Sequence, residues 1–203
     1  FNVMRLGLYW AAVEPEPGVF DTAYIDKVRQ TENMLASHGI YSIVDMHQDL
    51  YSTAVGGNGA PEWAAITGGQ PNIDYPFPQS NYLNPASTHA WDEFWNNSAA
   101  PDGLGLQDHY AKAWEYVASA FNGNDAVVGY DLMNEPFVGT KWLPAMLGIP
   151  CFGDQQLAPL YNQVAAAIRA VDQTTPLIVE PANPATSQLP AILGLPVNLG
   201  KVY

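Results

Sequence analysis

The chain has 203 residues, with 20 acidic and 7 basic side chains and a net charge of −13. Charged residues make up 13% of it, about half the ~25% usual for a soluble domain, while 48% are hydrophobic and 12% aromatic. That much apolar surface excludes a disordered or low-complexity chain. No apolar run approaches the roughly 18 residues of a membrane span, and seven scattered cations make no basic stripe for nucleic acid.

The chain opens on an apolar run from Phe1 to Leu6 that predicts a first strand over residues 3–9, with Arg5 inside it and Trp10 just after. A helix follows, with Tyr24, Val28, Thr31 and Leu35 on one stripe, Asp21 as N-cap and Gly39 as the residue that ends it. The second strand covers residues 41–46, and Asp45, His47 and Asp49 close it.

Residues 48–105 form a long insertion rich in Gly, Pro, Asn and aromatics, including Trp63, Tyr75, Phe77, Tyr82, Trp91, Phe94 and Trp95. A structureless loop of this length is functional or disordered, and the aromatics argue against disorder. They either extend an apolar surface for a lipid or membrane, joined by Met133, Trp142, Leu143, Met146 and Leu147, or pack the loop against the fold. Packing is the expectation for most of them.

Leu106, Tyr110, Trp114, Val117 and Phe121 stripe the next helix, before a third strand over residues 127–133 that leads into Asn134 and Glu135. Leu157, Tyr161, Val164, Ile168 and Val171 stripe another, before a fourth strand over residues 176–179 that ends at Glu180. A fifth strand begins at Lys201. Both termini read as cuts through secondary structure, so residues 1–203 are expected to be part of one longer domain. The single cysteine, Cys151, is either a small buried hydrophobe or the partner of a cysteine elsewhere.

Strands alternating with helices imply a parallel sheet covered by helices, either doubly wound or an arc of a (β/α)8 barrel. No glycine fingerprint follows a strand, so a dinucleotide or phosphate site has no support. Polar residues at successive strand ends favour the barrel, whose active sites lie there.

The sharpest of those ends is Gly129-Tyr130-Asp131-Leu132-Met133-Asn134-Glu135-Pro136. A carboxyl group leaving an apolar strand sits in a partly desolvated cleft, which favours its protonated form and suits a general acid. Asn134 can donate to a substrate hydroxyl, and Pro136 fixes the turn. The competing reading is a Glu that caps the next helix. His47, between Asp45 and Asp49, suits a ring oriented by one carboxylate while it meets a sugar hydroxyl; a metal site is the weaker reading of the same triplet. Trp10 is a sugar platform or a core residue, with neither preferred. Glu180 is expected to contact substrate or its own turn rather than act as a nucleophile. Abundant carboxylates and aromatics together suit a neutral, hydroxyl-rich ligand.

Asn134-Glu135-Pro136 after an apolar strand resembles the acid/base motif of glycoside hydrolase family 5, whose members are retaining (β/α)8 glycosidases. The run Asn2-Val3-Met4-Arg5-Leu6 resembles that family's second strand, and Asp45-Met46-His47-Gln48-Asp49 its third. The strings from Trp10 to Asp21, from His38 to Ser52 and from Gly129 to Pro136 narrow the resemblance to the endoglycoceramidase branch, which releases the glycan of a glycosphingolipid from ceramide. The resemblance implies a barrel segment running from strand two to the start of strand six. It makes Glu135 the acid/base, and places Arg5 near the nucleophile and His47 at the sugar; Asp49, Asn134 and Trp10 stand beside them as candidate substrate contacts from the reading of the residues. The nucleophile would be a second carboxylate ending the seventh strand, beyond residue 203. No cofactor or metal is implied. The partners would be a glycolipid or oligosaccharide and, transiently, a membrane or micelle surface, with the enzyme secreted. A family 5 β-glucanase and a silent carbohydrate-binding barrel are the alternatives.

Overall fold

The computed structural model describes residues 1–75, 83–146 and 153–182. Cys151, Phe77, Tyr82, Leu147 and the strand expected from Lys201 lie outside the described residues. Four parallel strands form the sheet: β1 (Val3–Leu8), β2 (Tyr41–Met46), β3 (Val127–Asp131) and β4 (Leu177–Ile178), in the order β1-β2-β3-β4. Each strand lies beside the one that precedes it in the chain. A doubly wound sheet reverses its order at a switch point; winding in one direction is the pattern of a (β/α)8 barrel.

Register aligns the strand ends. Gly7 pairs with Asp45, Asp45 with Asp131, and Asp131 with Ile178. Side chains alternate between faces, so Arg5 shares its face with Gly7. The third strand stops at Asp131, two residues short of the sequence expectation. The Leu132 carbonyl turns away from the ladder and accepts from Tyr110 Oη (2.7 Å) and Trp114 Nε1 (2.9 Å).

Helices α1 (Trp10–Val13) and α2 (Thr22–Ser37) follow β1. Asp21 Oδ1 accepts from the Tyr24 N–H at 2.9 Å, and Gly39 ends α2 at φ +71°, where glycine carries no Cβ penalty. The buried stripe of α2 differs from the expected one: Ile25, Val28 and Glu32 face inward, and Thr31 is exposed. Glu32 is tolerated inside because its Oε2 accepts from Asn124 Nδ2 at 2.6 Å. The stripes of α4 (Leu106–Phe121) and α6 (Ala158–Val171) are buried as expected, except that Val171 is half-buried.

Residues 48–105 are not a structureless loop. They contain α3 (Pro85–Trp95), capped by Asn84, and 3-10 turns at Thr53–Val55 and Glu62–Ala64. Trp91, Phe94 and Trp95 are buried, and Trp91 stacks on Trp95 with centroids 5.8 Å apart. These rings pack the insertion onto the fold. A polar tie reinforces them: His109 Nδ1 bonds Glu14 Oε1 (2.7 Å) and its Nε2 bonds Asp102 Oδ1 (3.0 Å). Beyond β3 come α5 (Trp142–Met146) and then α6; Met133 is buried, Trp142 is half-buried against the core, and Leu143 is exposed. Among the described residues, no helix is long and apolar enough to cross a membrane.

Asp172 closes the turn between α6 and β4. It accepts from the N–H groups of Thr174 (2.9 Å) and Thr175 (3.0 Å), from Thr175 Oγ1 (2.6 Å) and from Tyr130 Oη (2.9 Å). Burial pushes its pKa up, but these donors outweigh burial and hold it at about 2, below the ordinary 3.8. Its stabilisation is therefore present above the ordinary value and lost as pH falls through about 2. In the full-length protein, Asp172→Ala should lower the unfolding free energy by about 2–4 kcal/mol at neutral pH, with the deficit shrinking in acid. Denaturant titrations at several pH values check this; a pH-independent deficit would refute the ionised cap.

Candidate active site

From β1, the side chain of Arg5 reaches groups from the other three strands or their ends. Its Nε donates to Asp131 Oδ2 at 2.9 Å, and Nη2 donates to the same oxygen at 2.7 Å. Nη1 donates to Asn134 Oδ1 at 2.8 Å. Nη2 also donates to Glu180 Oε1 at 2.6 Å and lies 3.1 Å from Asp45 Oδ1. Desolvation opposes the charge, but Asp131, Asp45 and Glu180 outweigh it and raise the Arg5 pKa above its ordinary value. Among the described residues, Arg5 is thus held in an ion-pair cluster within the fold.

The ring of His47 sits just past the end of β2. Its Nδ1–H donates to Asp45 Oδ2 at 2.8 Å, and Nε2 lies 3.4 Å from Asp49 Oδ2. The structure thus gathers the Asp-x-His-x-Asp triplet, with Asp45 buried beneath the ring and Asp49 half-exposed above it. Asp49 leaves the strand to pair with Asn58, whose Oδ1 accepts from the Asp49 N–H at 2.9 Å. Asp45 is pushed up by burial, against the lowering effect of its bonds to His47 and Arg5. Among the described residues, no group of three or more His, Cys, Asp or Glu is arranged to hold a metal ion.

Asn134 and Glu135 form a turn beyond β3 that is held from several sides. Asn134 is buried; its Oδ1 accepts from Arg5 and its Nδ2 donates to the Gln48 carbonyl at 2.8 Å. Asn134 is thus a lock between Arg5 and the main chain of Gln48. Gln48 returns the bond: its Nε2 donates to the carbonyls of Asn134 (2.7 Å) and Glu135 (3.0 Å). Glu135 has φ +40°, a left-handed value costly for a residue with a Cβ, and its N–H donates to Glu180 Oε2 at 2.9 Å. The helix-cap reading of Glu135 fails: the 3-10 turn Gly139–Lys141 begins four residues later and has no side-chain cap.

Trp10 is not a sugar platform. It is 2% exposed, donates from Nε1 to Glu14 Oε2 at 2.8 Å, and packs edge-on against Trp63, Phe94 and Tyr110. A ring enclosed on both faces has no surface to offer a sugar. A cavity of about 20 Å³ beside it, between Met46, Gln48, Trp91 and Met133, has room for one water.

Two cleft residues went unassigned from sequence. Gln48 lies within the quoted third-strand motif, but its acceptors are main-chain carbonyls 86 and 87 residues away, which no local pattern reveals. Tyr9 is 39% exposed and meets His47 edge-on with centroids 6.1 Å apart.

Burial pushes Glu180 up to about 7 from the ordinary 4.5; Asp131 and Asp45 add to it, against the Glu135 N–H and Arg5. A carboxyl group with a raised folded-state pKa contributes stability at low pH that is lost as pH rises through the raised value. The melting temperature of the full-length protein should therefore fall between pH 4.5 and about 7, and Glu180→Gln should flatten that fall. Parallel profiles for parent and variant would refute it.

Residues 1–198 match the family model "Cellulase (glycosyl hydrolase family 5)". Over 200 residues the chain is 34% identical to endoglycoceramidase I of Rhodococcus hoagii (strain 103S), covering 97% of this chain and 39% of that protein. Over 197 residues it is 32% identical to the endoglycoceramidase of Cyanea nozakii, covering 88% of this chain and 39% of that protein. It superposes on endo-glycoceramidase II from Rhodococcus sp. with a TM-score of 0.83 and 41% identity, over 100% of this chain and 44% of that one. Solved structures of that protein include a ganglioside GM3 complex and a lactosyl-enzyme intermediate. The chain spans about two fifths of the length of these relatives. The four-stranded sheet is an arc of their (β/α)8 barrel, and the chain belongs to glycosyl hydrolase family 5.

Proposed function

We propose that the full-length protein is a retaining glycoside hydrolase that releases the intact glycan of a glycosphingolipid from ceramide, with Glu135 as acid/base. One observation carries the reading. A family 5 chain, similar over its whole length to an endoglycoceramidase solved with a ganglioside and as a glycosyl-enzyme, presents Glu135 on a locked turn at the C-terminal end of β3.

The chemistry follows from the residues. Glu135 protonates the glycosidic oxygen as ceramide leaves, while a second carboxylate about 5–5.5 Å away attacks the anomeric carbon. Glu135 then takes a proton from the water that hydrolyses the glycosyl-enzyme. That second carboxylate is expected beyond residue 203. Glu180 is poorly placed to substitute for it, because both its oxygens already accept, from Arg5 and from the Glu135 N–H. With Nδ1 committed to Asp45, the His47 ring turns Nε2 toward the half-exposed Asp49 carboxylate, and these two groups are the ones proposed to meet sugar hydroxyls. The same reading has the enzyme secreted and touching a membrane or micelle to reach its lipid-linked substrate.

Glu135→Gln in the full-length protein should lower turnover of a glycosphingolipid by about 10²–10⁴-fold without changing its circular dichroism. Turnover within a few-fold of the parent would sink the acid/base assignment. The parent should release ceramide from a glycosphingolipid and leave cellulose oligomers intact; preference for the oligomers would favour a β-glucanase.

A further inference from the structure

We propose that Glu180 is a positioning residue for the acid/base: its carboxylate holds the backbone of Glu135 in the left-handed turn that presents the catalytic side chain. The proposal rests on the reading of Glu135 given above and adds a second residue to it. The motivating observation is the backbone of Glu135 itself. A φ of +40° at a non-glycine residue is costly, and the following Pro136 pushes the residue before it toward an extended conformation as well. Such a conformation persists only where its surroundings over-determine it, and it concentrates where a side chain must be aimed.

The restraints on this turn can be counted atom by atom. Gln48 Nε2 holds the Glu135 carbonyl at 3.0 Å, and the Asn134 N–H donates to the Met46 carbonyl at 3.2 Å. Glu180 Oε2 takes the Glu135 N–H at 2.9 Å. Gln48 and Met46 secure the turn from the β2 side, whereas Glu180 secures it from beyond β4, so its loss removes the restraint from that side.

Glu180 is itself well anchored. Its Oε1 accepts from Arg5 Nη2 at 2.6 Å, and its carbonyl accepts from the hydroxyl of the buried Tyr161 on α6 at 2.7 Å. Arg5 is in turn fixed by Asp131, Asn134 and Asp45. A chain of charge-assisted bonds therefore runs from Arg5 through Glu180 to the main chain of the acid/base. Only a group accepting on both oxygens at once completes it. A glutamine in its place has one acceptor oxygen, and turns N–H groups toward either Arg5 or the Glu135 N–H.

The experiment uses leaving groups of different quality. Departure of ceramide needs protonation by Glu135, whereas dinitrophenolate leaves without it. In the full-length protein, Glu180→Ala should lower kcat/KM on a glycosphingolipid by about 10²-fold, the low end of an acid/base contribution. The burst of dinitrophenolate from a 2,4-dinitrophenyl β-glycoside should stay within about threefold, since acid assistance adds little to that step. Glu180→Gln, which keeps the volume and one acceptor, should fall between parent and alanine variant, and carries the test if the alanine variant does not fold. Equal losses on both substrates, or none on the glycolipid, would overturn the proposal. Glu135→Gln run in parallel separates the two ideas. If it too spares the glycolipid, the acid/base reading has failed and the proposal falls with it. If it is selective and the Glu180 variants are not, only the positioning role falls.

Discussion

The guanidinium of Arg5 lies among groups delivered by every strand of the sheet: itself from β1, Asp45 from β2, Asp131 and Asn134 from β3 and its turn, and Glu180 from just past β4. Three carboxylates share one cation. Burying ion pairs is favourable only when geometry repays desolvation, and here one oxygen of Asp131 takes two donors while Nη2 serves three acidic groups. The charges do not balance; burial chiefly, with neighbouring carboxylates adding to it, raises the proton affinity of Asp45 and Glu180. On the function proposed, that surplus of negative charge suits an oxocarbenium-like transition state, where positive charge develops on the sugar.

The rest of the fold keeps this cluster in register. Pairing of Gly7 with Asp45 and of Asp45 with Asp131 puts these three residues at one height across the sheet. Tyr110 and Trp114 pull the Leu132 carbonyl out of the ladder, which ends β3 early and begins the turn carrying Asn134 and Glu135. Gly59, at φ +117°, lets the insertion run so close to Gln48 that a Cβ there would collide with the Gln48 side chain. The insertion, packed on the fold by its buried tryptophans, thus lies directly against the residue that clamps the Glu135 turn.

Sequence pattern revealed what depends on local periodicity and on strand ends. The parallel strands, the stripes of α4 and α6, the Asp21 cap and the positions of Arg5, His47 and Glu135 all follow from spacing and hydropathy. Several departures from the sequence reading turn on a polar atom whose partner only the fold brings into place. Glu32 lies off the stripe expected for α2 and is buried where Asn124 meets it. Trp10 reads as a possible platform until Glu14 takes its indole N–H. Gln48 has no assigned role until the carbonyls of a turn 86 residues on arrive opposite it. Helix α3 was hidden by the Gly- and Pro-rich flanks of the insertion.

The identity of the central cation is a consequence of geometry as much as of charge. A lysine would supply three donors from one point, enough to neutralise Asp131 but unable to reach Asn134 and Glu180 together. The planar fork of Arg5 directs Nε and Nη2 to Asp131, Nη1 to Asn134 and Nη2 onward to Glu180. In a chain of only 7 basic residues, one of them thus orders the amide beside Glu135 and the carboxylate behind it at the same time. Positioning by one rigid cation couples the two restraints, so a displacement of either is felt by the other.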